Sequence, residues 1–294
     1  MSDTLARLTA WRPSMTAYHE HQSISSGFLG KAHSRYGEGL SSALHERQEW
    51  LAKLAAARAA GFQKIPATAP LLAKGAALHA WIEDDKAAII RRAPPEVKVR
   101  RGKRWEAAFR SALEDGADAL LLTSELEELF YAWSSLILAD TEAKREILAI
   151  LRRWSPRVPE VSHLWSPFEG CWCRIREDLM ARAPSGMWGA FQIKTTSQPL
   201  TPGRWWPFWR RWYLRPSALY REGLRDLMAG KPFRQFLIVA RLEAPYPWAL
   251  FDLEERAEEI ETAWRDDVAP ELENITSALA AGRCHGPEEK GLFS

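Results

Sequence analysis

The sequence predicts an α/β protein with a mixed sheet and a helical N-terminal part, and three observations predict it. Apolar residues recur at helical spacing as far as residue 153. Beyond it the period shortens to strand-like runs at about 160–165, 171–179, 189–196, 235–243 and 247–253. Helical patterns fall at 216–229, between the third and fourth runs, and at 254–282, so helices surround the strands.

Taken in order, residues 1–36 are a polar, turn-rich lead in which Ser23-Ile24-Ser25-Ser26 can cap a short helix. Residues 40–61, rich in Ala, Leu, Glu, Lys and Arg, read as a helix stopped by Gly61. Residues 63–70 read as a loop. Helical spacing returns over 71–90 and ends before Pro94-Pro95. A basic stretch (Lys98, Arg100, Arg101, Lys103, Arg104) leads into a helix-like segment from Trp105 to Leu113 and an apolar run from Ala119 to Leu122. Residues 124–153 form the longest helical pattern, with Thr123 and Ser124 as candidate caps ahead of a run of acids. No repeat or long linker interrupts the chain. It divides into an N-terminal helical extension, 1–70, and a main unit, 71–294, that pack as one body.

At 294 residues the chain is long enough for a large core. A formal charge of +2 announces no nucleic-acid partner by itself, so only local basic clusters carry that signal. Three cysteines (Cys171, Cys173, Cys284) cannot form an even disulfide framework and are too few for a four-ligand metal cluster. No basic-then-apolar leader or uncharged apolar run of spanning length is present, which points to a reducing cytoplasm rather than a membrane. Fifteen tryptophans are many, and four crowd into residues 205–212. Core or subunit-interface packing suits them better than base stacking.

Chemistry concentrates in two strand-like runs. Asp178 ends the run from Cys171, and fourteen residues on, Gln192 and Lys194 share one face of the run 189–196. Asp178 offers a carboxylate, Gln192 an amide oxygen and Ile193 a backbone carbonyl, all oxygen donors that suit Mg²⁺, with Mn²⁺ as a substitute. Lys194 suits the role of orienting a water and stabilising charge on a phosphate. Spacing alone fits equally an ordinary cross-strand ion pair of Asp178 and Lys194. Ser162 and His163 lack the context of a catalytic triad and read as structural.

Several segments occur in the order of one known group. They are Tyr18 to Leu29 with Ser34-Arg35-Tyr36, the run Leu72 to Ile82 containing Gly75 and His79, and Glu160-Val161-Ser162. Gly170 to Asp178, Ile193-Lys194-Thr195-Thr196 and Phe236 to Pro247 follow. On these segments the chain resembles the RecE-like (exonuclease VIII type) phage exonucleases of the PD-(D/E)XK nuclease superfamily, across nearly its whole length. The resemblance implies a PD-(D/E)XK restriction-endonuclease-like core, a mixed central sheet flanked by helices, with a helical N-terminal extension. It implies metal-dependent exonuclease action on double-stranded DNA ends, exposing single strands for phage-type recombination. His79, Asp178, Gln192 and the Ile193 carbonyl become the metal ligands, Lys194 the catalytic lysine and Glu160 an accessory acid.

DNA contacts are expected from Arg100, Arg101, Lys103, Arg104, Arg174, Arg176, Thr195 and Tyr220. The resemblance also implies a homo-oligomer, a single-strand annealing recombination protein as partner, and a phage or prophage origin in a bacterial cytosol. Two positions depart from the family pattern. Gln192 stands where an acid is usual, and Pro216 stands four residues before Tyr220, where Gln is usual. The alternative those departures raise is a nuclease-fold protein of weak or no activity that serves as a DNA-binding or protein-interaction module.

Overall fold

A computed structural model describes residues 6–8, 24, 40–62, 65–83 and 88–280. The cap expected at Ser23, most of the resembling segment 18–36, and Cys284 lie outside the described residues.

Helix α1 (Leu40–Ala59) ends as its composition predicts. Gly61 takes φ +88° while Gly61 N and Phe62 N bond back to the Arg58 and Ala57 carbonyls. Helix α2 (Pro70–Glu83) opens on a proline at its first position and stops well short of Ile90. The expected helix over 71–90 is thus corrected at its end. Strand β1 (Ile90–Arg92) pairs in parallel with β2 (Ala119–Leu121), and α3 (Lys103–Glu114) crosses between them.

The single long helix expected over 124–153 is two, α4 (Thr123–Ile137) and α5 (Glu142–Arg153). Ala139 breaks the run at φ +51°, and Thr141 restarts it, its hydroxyl accepting from Lys144 N at 3.3 Å. The N-cap of α4 falls at Leu122, one residue before the expected position. The Glu125 carboxylate there accepts from Leu122 N at 2.8 Å.

The main sheet runs β3 (Arg157–Phe168), β4 (Cys171–Arg182), β5 (Trp188–Thr196), β6 (Phe233–Arg241) and β7 (Trp248–Asp252), in that spatial order. Every pairing is antiparallel except β5 with β6. A parallel pair needs a crossover, which α6 (Pro202–Trp212) and α7 (Leu214–Met228) supply. A 3₁₀ turn (Leu253–Arg256), α8 (Ala257–Ala263), a π-helical turn (Trp264–Val268) and α9 (Ala269–Ala280) complete the described chain.

Each face of the sheet carries a core. One holds Val161, Cys173, Ile175, Trp188, Ala190, Leu237 and Val239 against α6, α7 and α9. Trp205, Trp206 and Trp209 sink into it, Trp205 stacking on Phe251 at 5.1 Å between ring centroids, while Trp212 stays exposed. The other holds Leu179, Phe191, Ile193, Phe236 and Ile238 against α2, α4 and α5. The expected mixed sheet flanked by helices is the one observed. Among the described residues, no helix is long and apolar enough to cross a membrane.

Candidate functional site

The site forms where β4 and β5 part. Their register runs from Arg182 opposite Trp188 to Leu179 opposite Phe191 and stops. Asp178 and Gln192, next along the same register, are therefore the first facing residues without a ladder pairing. Beyond the fork Ile24 takes the freed side of β4, donating to the Trp172 carbonyl at 2.7 Å and accepting from Arg174 N at 2.9 Å.

A fork strands backbone groups that side chains must satisfy. Asp178 Oδ2 accepts from Ile193 N at 2.6 Å, which ties the two strands together across the gap. From α2, His79 Nε2 lies 2.9 Å from the Ile193 carbonyl. A carbonyl only accepts, so Nε2 donates to it, and Nδ1 faces Asp178 Oδ1, 3.6 Å away. The Nζ of Lys194 stands 4.0 Å from Asp178 Oδ2. Gly75, one turn before His79 on α2, faces β5 at Thr195, where a Cβ would make ordinary contact at 3.7 Å from Thr195 Oγ1.

On the other side of β4 the ladder with β3 also skips one pair. Pro159 with Leu179 and Val161 with Glu177 flank the gap, and Glu160 between them is left-handed at φ +54°. A glutamate held there is strained, and such strain gathers at functional sites. The Glu160 carboxylate pairs with Arg176, so it borders the site but is engaged.

Strand parity sorts the remaining side chains. Val161 belongs to the core under α7, and its cross-strand partner Glu177 shares its face. Gln192 and Lys194 keep the parity of Trp188 and Ala190, which face that same core. Glu177 was not among the residues that sequence reasoning selected. It is 1% exposed, and neither carboxylate oxygen has a hydrogen-bond partner. Burial drives its carboxyl well above the usual carboxylate range; the charge of Asp178 adds to the rise and the Lys194 ammonium opposes it. A signal was present in the sequence: Cys171, Cys173, Ile175 and Glu177 share one parity, so an acid occupies an otherwise apolar face.

The expected DNA-contacting residues are scattered. Arg100 is committed to the fold, paired with Glu125 at 2.5 Å, donating to the Leu120 carbonyl at 3.2 Å and lying over the Trp105 ring. Arg174 is buried and Arg176 is held by Glu160, so neither is offered freely to solvent. Arg101, Lys103 and Arg104 are exposed, and Thr195 and Tyr220 are half-buried. His163, read as structural, hydrogen-bonds Asp226 on α7 at 2.6 Å. Ser162 is buried, and both Cys171 and Cys173 face the core as expected of structural thiols.

Among the described residues, no three His, Cys, Asp or Glu side chains are placed to cage a metal ion by themselves. The donors at the fork are instead one carboxylate, one imidazole lone pair, an amide and a carbonyl. That set fits Mg²⁺, which keeps several waters and binds through one or two carboxylates plus substrate phosphate. It does not fit a closed structural site.

No protein-family model matches the sequence. A search of curated proteins also finds no significant match. Among solved structures, the chain is similar to a crystal structure from Eubacterium rectale described as a candidate exonuclease. The two share 12% identity with a TM-score of 0.52, over 91% of this chain and 88% of that one. At that identity the likeness is one of fold: a mixed central sheet flanked by helices, with matching elements along nearly the whole of both chains.

Proposed function

We propose that this chain is a metal-dependent deoxyribonuclease that degrades double-stranded DNA from an end. The observation that carries the reading is the convergence of Asp178 and His79 on the Ile193 peptide at the fork of β4 and β5, with Lys194 Nζ 4.0 Å from Asp178. The fold similarity to a candidate exonuclease supports it.

The residues divide the work of phosphodiester hydrolysis. Asp178, His79, Gln192 and the Ile193 carbonyl would hold a Mg²⁺, which when bound would supply Lewis-acid stabilisation of charge on the phosphate oxygens and lower the pKa of a bound water. Asp178 fixes the geometry, because one oxygen holds the Ile193 N–H while the other faces His79 Nδ1. His79 in turn holds the Ile193 carbonyl through Nε2–H, which ties helix α2 to strand β5. The Lys194 ammonium, 4.0 Å from Asp178 Oδ2, would orient the attacking water and stabilise developing charge on the phosphate. Exposed Arg101, Lys103 and Arg104 are suited to backbone phosphates.

A role in exposing single strands for phage-type recombination, with an annealing protein as partner and a homo-oligomeric assembly in a bacterial cytosol, extends the same reading. The second reading, a nuclease fold serving as a binding module, is favoured by Gln192 and Pro216, the two departures from the family pattern. Incubating linear duplex DNA with the protein in Mg²⁺ or Mn²⁺ separates the two. Degradation that disappears in Asp178→Ala and Lys194→Ala is expected. Duplex left intact in both metals, with DNA still bound, would establish the binding module instead.

A further inference from the structure

We propose that Glu177 carries the second carboxylate of this centre, relocated from the position that Gln192 occupies to the neighbouring strand. The inference rests on the nuclease reading and adds to it a residue that the (D/E)-x-K pattern does not contain.

Three observations support it. First, Glu177 shares a sheet face with Gln192 and Lys194 and adjoins Asp178 in sequence, so it lies on the side where the acid of a (D/E)-x-K pair would sit. Second, it is 1% exposed with both oxygens unpartnered, whereas buried carboxylates elsewhere in proteins are paired or bound to cations. Glu125, nearly as buried, shows the ordinary arrangement, pairing with Arg100 and capping α4. Third, Glu177 pairs with Val161 immediately beside the skipped pair at the left-handed Glu160, so it sits in the irregular stretch of β4 next to the fork.

Charge makes the case quantitative in sign. With Gln192 neutral and Asp178 facing Lys194, the centre without Glu177 sums to zero and offers a divalent cation no net attraction. Held against a bound cation, the Glu177 carboxylate would bring that sum to −1, the charge of a site with two carboxylates and one lysine. The neighbouring Glu160 is a poorer substitute, because Arg176 already neutralises it.

The test is Mn²⁺ binding, read by electron paramagnetic resonance with and without a short duplex, on the full chain and on Glu177→Gln, Asp178→Asn and Glu177→Gln/Gln192→Glu. Glu177→Gln should raise the Mn²⁺ dissociation constant about 10- to 100-fold, and the double variant should recover most of the loss. If Glu177→Gln binds as wild type while Asp178→Asn does not, Glu177 is a core residue and the relocation is wrong, with the nuclease reading intact. If wild type binds no Mn²⁺ even with duplex, both fall together. Circular dichroism establishes that each variant folds. Should Glu177→Gln fail to fold, Glu177→Asp keeps the charge but draws it back by one methylene, and an unchanged dissociation constant there would equally overturn the proposal.

Discussion

At the scale of residues, the proposed centre turns on one amide and one buried acid. Gln192 brings a dipole where a charge is usual, so Gln192→Asp is expected to tighten Mn²⁺ binding in wild-type background, checked by the same titration. No change would remove Gln192 from the cation's reach. Glu177 has the opposite signature. An unpaired carboxyl in an apolar core is destabilising, and replacing it with an apolar side chain of similar volume removes that cost. Glu177→Leu should therefore raise the metal-free melting temperature by at least about 2 °C while abolishing Mn²⁺ binding. A residue that costs stability and is needed only for the cation behaves this way; a packing residue does not. Asp178 and Lys194 stood out in the sequence by their places on two strand-like runs and His79 only through the family resemblance, and the fold brings the three together at the fork. Glu177 was overlooked because adjacent acids read as a solvated pair unless the parity of Cys171, Cys173 and Ile175 is followed through it.

At the scale of elements, the strands after residue 153 were legible and the helices before it only partly. β4 and β5 are buried on both faces over much of their length, each with runs of three or four consecutive buried residues, which marks them as central strands. The break between α4 and α5 rests on one left-handed alanine, and its cue was the capping threonine Thr141 followed by Glu142. β1 was missed because three residues are too few to show a period. The link from β3 to α7 yields a pH prediction. Burial pushes the His163 imidazole below its ordinary range, and the hydrogen bond from Asp226 opposes this without cancelling it. Between the lowered folded value and 6.5, the unfolded chain binds more protons, so the stability from this site is complete above 6.5 and is lost as pH falls. His163→Gln should flatten that part of a melting-temperature curve measured from pH 5 to 7.5.

At the scale of the whole molecule, the sheet separates two cores, and the fork of β4 and β5 is where side chains from both faces can meet. α2 brings His79 from one side, while Lys194, Gln192 and Glu177 belong to the face under α7. Rigidity of that arrangement depends on the core behind it, and α6 supplies much of its volume. Trp205 is fully buried, stacked on Phe251 and against Tyr213, and lies on a helix that continues into the crossover joining β5 to β6. Trp212, at the end of the same helix, is 48% exposed and touches Arg211 from outside. Truncating a buried aromatic costs about 3–5 kcal/mol, whereas an exposed one away from special contacts changes stability by about 0.5 kcal/mol or less. Trp205→Ala should thus lower the urea midpoint sharply and weaken Mn²⁺ binding with it, because β5 loses its backing. Trp212→Ala, which removes a ring that is 48% exposed, should lower the midpoint far less. If Trp212→Ala instead impairs DNA binding with the midpoint intact, that indole is a contact for nucleic acid, and the aromatic run is divided between core and substrate.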